Sequence, residues 1–468
     1  MHTSTISTVP LEPWTAAQLQ HATQGHWHNG RAPSTQIKRI LTDSRHAEAG
    51  DVFLALKGER FDAHDFVAQV AANGCQIAIV ERPLNLDICQ LVVSDTRLAL
   101  GHLGAYRRQQ YPDLQVMALT GSSGKTTTKE MLGSILSRLA PTLVTRGNLN
   151  NDLGVPMMLL ELKPEHRYAV MELGASHQGE IDYTSQLVQP HVAGILNIGT
   201  AHLGEFGGRD GICRAKSEIY HHIDVAGTSI VPANDDFTQQ IRQAVRTQKH
   251  LSFGDGGEVY ATDVVLHAQS SEFHLHTPRG QAHVILPFAG EHNVDNALAA
   301  TAFALAMGIE LNDIVTGLEH AQGAKGRLNF IRHQQHLFID DTYNANPGSM
   351  RAAAGVLAQQ IGVKVMVTGD IGELGDASTQ EHFDLGHDLV LEAIDYVVAV
   401  GEYAAAMQQG AQRSKHPEKL TAFATQADAL PFLIELTHQH QPQFMSFLFK
   451  GSRYTHMETL MADLMEKL

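Results

Sequence analysis

The chain has 468 residues, a formal net charge of −16 and an apolar fraction of 43%, so it is long enough for about three domains and too acidic for a nucleic-acid-binding surface. No apolar run approaches the roughly 20 residues that a membrane-spanning helix needs, and the first residues do not resemble a secretion signal. The three cysteines, Cys75, Cys89 and Cys213, have no spacing typical of a metal site and fit a protein of the reducing cytoplasm. We expect the protein to be a monomer.

Residues 1–94 are predicted to form a small α/β domain. Its helical and strand-like patterns alternate along the chain, with helices at 14–22 and 65–73 and strands at 37–43, 52–56, 77–80 and 90–93. Two polar segments, D-S-R at 43–45 and K-G-E-R-F-D-A-H-D-F at 57–66, lie beside these elements. Taken alone, both segments are expected to be solvated loops.

Residues 95–325 are predicted to form a central domain with a parallel sheet. A linking helix at 97–110 leads into strand-like runs that alternate with helical stretches, which indicates βαβ units. These runs lie at 116–119, 143–145, 169–173, 192–198 and 228–232. An alternating segment at 273–288 predicts an antiparallel appendage, and a helix at 291–307, apolar nearly all round, should be buried.

The segment T-G-S-S-G-K-T-T at 120–127 is typical of a phosphate-binding loop between a strand and a helix. Gly121 and Gly124 allow a tight turn, and the free N–H groups at the start of the helix favour an anion. Lys125 can reach the outer phosphates of a nucleotide, and Thr126 can ligate Mg²⁺. The loop is shorter than the usual G-x-x-x-x-G-K-[ST] pattern, whose first glycine is replaced by Leu119.

Residues 326–468 are predicted to form a second α/β unit, Rossmann-like in pattern. Its strand-like runs lie at 337–340, 363–368, 396–400, 420–423 and 444–449. No G-x-G-x-x-G follows its first strand, which argues against a dinucleotide cofactor.

Several polar residues outside the loop are candidates for chemistry. Glu172 ends a strand and could hold Mg²⁺ opposite Thr126, and His202 follows the next strand along the chain, so it is either a ligand or structural. The helical spacing around Lys216 alone predicts a surface lysine. Asn293, on the buried helix, could cap a loop or contact a ligand. Arg327 could stabilise phosphate charge or form a salt bridge between domains.

Together these segments resemble the Mur ligase family over essentially the whole chain. The motifs occur in the family order: T-G-S-S-G-K-T-T, M-E-L-G-A-S, T-A-H-L, R-A-K-S-E-I, G-E-H-N-V-D-N-A-L-A-A, K-G-R, D-D-T-Y-N-A-N-P and F-K-G-S-R. Two segments, D-T-Y-N-A-N-P-G-S-M and G-D-I-G-E-L-G, are similar to signatures of the ligases that attach D-alanyl-D-alanine to UDP-N-acetylmuramoyl-tripeptide. The D-N-P-R of the diaminopimelate-adding ligases is absent.

The resemblance implies an ATP-dependent ligase that works through an acyl phosphate and requires Mg²⁺. It implies catalytic roles for Lys125, Glu172, His202, a carbamylated Lys216 and Arg327, and metal ligation by Thr126, Glu172, His202 and Lys216. ATP would contact Gly121, Ser122, Ser123, Gly124, Lys125, Thr126, Thr127, Asn293, Arg327 and Asp341. The UDP-linked substrate would contact Ser44, Arg45, Asn148, Asn150, Asn151, Ser176 and His177, and the dipeptide Tyr343, Asn344 and Asn346.

Two other functions remain open at this point. A folylpolyglutamate synthetase shares the ATP-domain plan, but the long segment ahead of the phosphate-binding loop argues against it. A regulatory NTP-binding switch is the other alternative, and the absence of an N-K-x-D guanine-reading motif makes a GTPase less suitable.

Overall fold

A computed structural model describes residues 11–34, 36–58, 61–200 and 203–468. These residues form a three-domain α/β protein with four β-sheets. The predicted fold class is therefore confirmed, while the proposed limits at 94/95 and 325/326 stay predictions. Within the described ranges, no helix combines the length and apolar composition needed to cross a bilayer.

The first sheet has the strand order β1-β5-β4-β3-β2 and is parallel except for β1. Its strands are β1 His26–Trp27, β2 Arg39–Leu41, β3 Asp51–Leu54, β4 Ile77–Val80 and β5 Cys89–Val92. The accompanying helices are α1 Ala16–Thr23 and α2 Val67–Ala72. Helix α1 begins with a capping box between Thr15 and Gln18, which satisfies N–H groups that the first turn leaves free. Helix α3 Thr96–Gln109 then leads into the central domain.

The second sheet is wholly parallel, with the order β11-β10-β9-β6-β8-β7. Its strands are β6 Gln115–Thr120, β7 Thr142–Val144, β8 Tyr168–Glu172, β9 Val192–Ile195, β10 Thr228–Pro232 and β11 Lys249–Phe253. Its helices are α4 Lys125–Ser137, α5 Gly154–Leu159, α6 Glu180–Val188, α7 Leu203–Phe206, α8 Arg209–Ser217 and α9 Thr238–Ala244. Strand β6 lies between β9 and β8, so the loop that follows it opens in the middle of the sheet.

A three-stranded antiparallel sheet extends the central domain. It consists of β12 Tyr260–Leu266, β13 Ser271–Thr277 and β14 Gly280–Leu286, followed by α10 Glu291–Ala306 and α11 Leu311–Glu319. The inward side chains of β13 and β14 share one core with α4 and α10. Helix α10 is buried on most of its surface, as its nearly all-round apolar pattern predicted.

The fourth sheet forms the last domain, with the order β15-β16-β20-β17-β18-β19. Only β15 is antiparallel. The strands are β15 Asn329–His333, β16 His336–Asp341, β17 Val363–Gly369, β18 Tyr396–Val400, β19 Leu420–Phe423 and β20 Met445–Lys450. The helices are α12 Pro347–Ala358, α13 Ser378–Leu389, α14 Ala404–Ala411, α15 Gln426–His440 and α16 Met457–Lys467. The carboxyl ends of β16, β20 and β17 face the central domain's phosphate-binding loop, as the contacts below show.

Candidate active site

The loop between β6 and α4 is the centre of the site. Gly124 has φ +78, and a Cβ there would collide with the side chain of Asn296, so only glycine fits. The Nζ atom of Lys125 donates to the carbonyl of Gly121 at 2.8 Å, which holds the ammonium group over the loop. The loop therefore has the shape and the charge of an anion cradle.

Asn197, just beyond β9, fixes the conformation of this loop. Its Oδ1 accepts from the backbone N–H of Ser123 at 3.0 Å, and its Nδ2 donates to the Ser123 carbonyl at 3.2 Å. The hydroxyl of Ser122 accepts from the Gly199 N–H at 2.8 Å. Ser122 and Ser123 thus help to shape the loop, and a nucleotide contact by either remains a prediction.

Glu172, at the end of β8, is buried beside the loop. Its Oε2 accepts from the Thr126 hydroxyl at 3.2 Å, and its Oε1 accepts from Nδ2 of Asn150 at 2.8 Å. A hydroxyl and a carboxylate beside a phosphate cradle are the oxygen donors that Mg²⁺ prefers. Among the described residues no group of three or more His, Cys, Asp or Glu could hold a metal, so an ion here would need phosphate and water ligands. His202, a further predicted ligand, lies outside the described residues.

Lys216 is buried, with 2% of its surface exposed, so the surface position expected from its spacing is wrong. Helix α8 is itself largely buried, with Ile212 and Cys213 in the hydrophobic core of the central domain. Within the described ranges, no hydrogen bond or salt bridge holds the amine. Burial lowers the pKa of Lys216 well below its ordinary value, and the nearby charge of Lys125 lowers it further. The structure therefore favours a neutral amine at this position.

Asn293 and Asn296 connect α10 to the loop. Asn293 donates to the Ala289 carbonyl at 2.8 Å and accepts from Nδ2 of Asn296 at 3.0 Å. Asn296 in turn accepts from the Thr128 hydroxyl at 3.3 Å and lies against Gly124. Of the two alternatives for Asn293, the capping of a loop is observed, and contact with the adenine remains a prediction.

Arg327 reaches the loop from the last domain. Its Nη2 donates to the Thr126 hydroxyl at 3.4 Å, and its guanidinium lies 4.4 Å from the ring centre of Tyr343. Its Nε is buried without a hydrogen-bond partner among the described residues. No carboxylate of the described chain forms a salt bridge with Arg327, so the interdomain salt bridge considered from the sequence is not observed.

Asp341 already has two partners within the last domain. Its carboxylate pairs with the buried Nζ of Lys450 at 2.7 Å and accepts from the Leu328 N–H at 3.2 Å. Lys450 also donates to the Asn344 carbonyl at 3.0 Å. The two contacts leave acceptor positions on the carboxylate, so the ribose contact expected for Asp341 stays a prediction.

The predicted dipeptide residues also have structural partners. The side chain of Asn346 caps α12 by accepting from the Ser349 N–H at 2.8 Å, with Pro347 at the first helical position. The Asn344 side chain accepts from the N–H of Ala345 at 2.9 Å. Tyr343 contacts Arg327, and the Asn344 carbonyl contacts Lys450.

The predicted residues for the UDP-linked substrate lie in several segments of the chain, and their contact with the substrate stays a prediction. Ser44 and Arg45 lie in a short turn after β2, where exposed Arg45 pairs with Asp43 at 2.6 Å. The side chain of Asn151 accepts from the Gly154 N–H at the start of α5. Asn148 lies just before Asn151 in the chain. Ser176 and His177 follow β8, and both donate their backbone N–H groups to the Glu180 carboxylate. Of the group, Asn150 contacts the Glu172 carboxylate.

Family models match most of the chain. Residues 36–118 match "Mur ligase family, catalytic domain", 119–304 match "Mur ligase middle domain" and 326–453 match "Mur ligase, glutamate ligase domain". The UDP-N-acetylmuramoyl-tripeptide--D-alanyl-D-alanine ligase of Escherichia coli strain K12 is 43% identical over 434 residues, which cover 92% of this chain and 94% of that protein. The chain belongs to the Mur ligase family.

Solved Mur ligases have the same fold. One crystal structure of MurF from Acinetobacter baumannii shares 74% identity with a TM-score of 0.95, over 98% of this chain and all of the other. A MurF ligase from Thermotoga maritima, in complex with ADP, shares 28% identity with a TM-score of 0.82, over 92% of this chain and 97% of the other. The resemblance inferred from the motifs is confirmed.

Three residues of this Mur ligase site were missed from the sequence. Asn197 and Lys450 each follow or end a strand at the edge of the sheet where the site lies, and Asn296 lies three residues after Asn293 on α10. The available signals were strand-end position and i, i+3 spacing on one helix.

Proposed function

We propose that this Mur ligase joins D-alanyl-D-alanine to UDP-N-acetylmuramoyl-tripeptide with ATP, in the cytoplasmic synthesis of peptidoglycan precursors. One observation carries the assignment of phosphoryl chemistry: Lys125, Thr126 and Glu172 of the central domain meet Arg327 of the last domain around one loop. The identity of the substrates is supported by the full-length similarity to ligases of that name.

The first chemical step is phosphorylation of the terminal carboxylate of the tripeptide. The N–H groups at the start of α4 bind the phosphates, and Lys125 exchanges its bond with Gly121 for one with a phosphate oxygen. Lys125 and Arg327 then stand on either side of Thr126 and stabilise the charge on the transferred group. Thr127, Asn293 and Asp341 are the other residues that we expect to contact ATP in this step.

The residues present fit a magnesium ion. Thr126 and Glu172 would hold it, with His202 and a modified Lys216 at a second position, and bound Mg²⁺ would neutralise phosphate charge. Asn150 keeps the Glu172 carboxylate turned toward Thr126. The amide thus orients a ligand as well as lining the substrate path.

Lys216 is proposed to carry a carbamate. The neutral amine adds CO₂ and releases one proton, which leaves an anionic oxygen pair suited to a hard cation. The burial of Lys216 and the nearby Lys125 charge supply the neutral amine that this addition requires.

The second chemical step is attack by the amine of the dipeptide on the acyl phosphate. The carbon–nitrogen bond forms as the carbon–oxygen bond to phosphate breaks, and inorganic phosphate leaves. The last domain, in contact with the loop through Arg327, restricts the access of water to this intermediate. The first domain binds the UDP group around Ser44 and Arg45, and Asn148, Asn151, Ser176 and His177 line the path to the reacting carboxylate.

Phosphate release across a panel of UDP-linked muramoyl peptides and amines tests this function. We expect release that requires both the UDP-N-acetylmuramoyl-tripeptide and D-alanyl-D-alanine, together with a product whose mass is the sum of the two substrates less water. Release with nucleotide alone would instead indicate an NTP-binding switch, and release with a folate and glutamate would indicate a folylpolyglutamate synthetase. The panel also identifies the third residue of the tripeptide.

A further inference from the structure

Thr145, the first residue after β7, is a buried polar residue to which the reaction described above gives no role. It is 1% exposed, and its hydroxyl has two partners on the neighbouring strand β8. The hydroxyl donates to the Val170 carbonyl at 3.3 Å and accepts from the backbone N–H of Glu172 at 3.0 Å. Thr145 therefore contacts the residue whose carboxylate lies beside the phosphate-binding loop.

This hydroxyl replaces a backbone carbonyl of the regular sheet. The parallel ladder of β7 and β8 ends with the pair Val144 and Val170, after which the Thr145 N–H donates to the Val170 carbonyl at 3.0 Å. In a regular parallel ladder the next bond would run from the Glu172 N–H to the Thr145 carbonyl. Here the Glu172 N–H donates to the Thr145 side chain instead. The position of Glu172 thus depends on the side chain at position 145.

The Thr145 carbonyl, left out of the ladder, is bound by Lys129. The Nζ atom of Lys129 donates to this carbonyl at 2.7 Å and pairs with the Glu130 carboxylate at 2.7 Å. Lys129 is itself buried, and it lies on α4 about one helical turn after Lys125. The helix that begins at the phosphate-binding loop is therefore connected to Thr145, and through Thr145 to the end of β8.

These bonds join the two elements that carry the expected magnesium ligands. Thr126 lies in the first turn of α4 and Glu172 ends β8, and their side-chain oxygens are 3.2 Å apart. Asn150 fixes the carboxylate of Glu172, whereas Thr145 fixes its backbone. Loss of a residue that orients a metal ligand typically weakens metal binding by about 10–100-fold. The backbone contact of Thr145 should therefore matter for metal binding.

We propose that Thr145, anchored by Lys129, is a positioning residue that holds the Glu172 carboxylate opposite Thr126 for binding of the nucleotide with Mg²⁺. The inference rests on the proposed function, in which Thr126 and Glu172 are assigned to the metal. Thr145 acts through the backbone of Glu172 and has no bond of its own to nucleotide or metal.

Thr145→Val tests the proposal, because valine has nearly the same shape as threonine and lacks the hydroxyl. Calorimetry measures the Kd of β,γ-methylene-ATP in the presence of Mg²⁺ and again in EDTA, without the other substrates. We expect the Kd with Mg²⁺ to rise about tenfold or more. The Kd in EDTA should stay within about twofold of the unmodified protein's, because the loop and the start of α4 are unchanged.

Three further variants separate positioning from general stability of the strand. Thr145→Ser keeps the hydroxyl and should restore the Kd with Mg²⁺. Thr142→Val, at the other end of β7, removes a hydroxyl that donates to the Ala140 carbonyl at 2.9 Å, and this matched control should leave both Kd values unchanged. Lys129→Met removes the anchor and keeps the Thr145 hydroxyl, so it provides a second test and should also raise the Kd with Mg²⁺.

Ligation kinetics add a readout that a purely structural role would not change. In Thr145→Val the half-saturating concentration of Mg²⁺ should rise, while the KM for D-alanyl-D-alanine should stay within about twofold.

Each contrary result has a distinct meaning. An unchanged Kd with Mg²⁺ in Thr145→Val or in Lys129→Met would overturn the proposal. Equal weakening with Mg²⁺ and in EDTA would also overturn it, since Thr145 would then shape the loop and not position Glu172. If the unmodified protein binds the nucleotide with Mg²⁺ but does not ligate the dipeptide, the proposed function itself fails.

Discussion

Lys125 is the residue on which phosphoryl transfer depends most directly. Because positioning and charge provide most of the catalysis in such reactions, Lys125→Ala should lower turnover by at least about 10³-fold. The circular dichroism spectrum and thermal midpoint should stay near those of the unmodified protein. Lys249→Ala, at an exposed position of the same domain, is the matched control and should keep full activity. Near-normal phosphate release by folded Lys125→Ala would refute the assignment.

A second prediction for a single residue concerns the proposed carbamate on Lys216. Lys216→Ala should lose activity, and a small carboxylate such as acetate should restore part of it by replacing the carbamate oxygens. The unmodified protein, equilibrated with ¹³C-labelled CO₂, should give a carbamate signal in the ¹³C NMR spectrum that Lys216→Ala lacks. Arg214→Ala, an exposed cation on the same helix, should retain both the signal and the activity. Full activity of Lys216→Ala in CO₂-free buffer would show that no carbamate is needed.

The burial of Lys216 could not be predicted from the pattern of its helix. Helix α8 has charged residues at 209, 210, 214 and 216, so its pattern alone cannot show which of them face the sheet. Only the family motif pointed to Lys216. Conversely, the strand-end position of Glu172 and the glycine–lysine pattern at Lys125 predicted that these residues lie together. The structure brings Glu172 into contact with Thr126, because parallel strands bring their carboxyl ends to one edge.

At the scale of elements, the strands that were not predicted all lie at sheet edges, although the edge strands β2, β7 and β19 were predicted. The limits of β4, β10 and β18 match those expected from the sequence. The four strands that were missed, β1, β11, β12 and β15, each lie at an edge of their sheet. An edge strand is covered on fewer sides, so it can carry polar residues and lose the apolar run that signals a buried strand. Strand β12, for example, has no fully buried residue.

The imidazole of His382 on α13 connects the stability of the last domain to pH. It is fully buried, stacks on Tyr403 at 4.6 Å, donates from Nδ1 to the Ser378 carbonyl and accepts at Nε2 from Ile371. Only a neutral ring satisfies both bonds, and burial lowers the pKa of His382. Its stabilising effect is therefore complete above its unfolded pKa of about 6.5 and is lost as the pH falls through the lower folded pKa.

Replacing this histidine should flatten the acid dependence. His382→Gln should lower the free energy of unfolding at pH 7.5 by about 1–3 kcal/mol, because a buried N–H loses its acceptor. Between pH 7 and pH 5 the variant should lose less stability than the unmodified protein does. Chemical denaturation at a series of pH values measures both quantities, and equal slopes for the two proteins would contradict this role of His382.

At the scale of the whole molecule, the site is divided between two domains. Arg327 contacts Thr126, and Gly375 lies against Gly204, so the structure shows the last domain packed on the central one. No pattern within either segment could predict these contacts, because they depend on how the domains are arranged. From the sequence, we could predict only that residues of the central domain and of the last domain both belong to one nucleotide site.

We expect the last domain to close over the central domain when substrates bind. Binding of phosphate by Arg327 of the last domain together with the loop of the central domain favours the packed arrangement, since Arg327 reaches the loop only there. Small-angle X-ray scattering should show a smaller radius of gyration with a non-hydrolysable ATP analogue and the UDP-linked substrate than with no ligand. The same radius at saturating ligand would count against closure.

The contact between Gly204 and Gly375 offers a way to inhibit the enzyme away from its substrate pockets. Two backbones meet there so closely that an added methyl group would lie only 3.0–3.1 Å from the opposite Cα, and Gly375 has φ +57, which other residues adopt with strain. A compound of a few heavy atoms lodged between them would act as a wedge and hold the cleft open. ATP and such a compound would occupy different space but would still oppose each other, because ATP favours the closed arrangement and the wedge favours the open one. Resistance through a bulkier residue at either glycine would itself block closure, so that mutational escape would cost the cell its ligase.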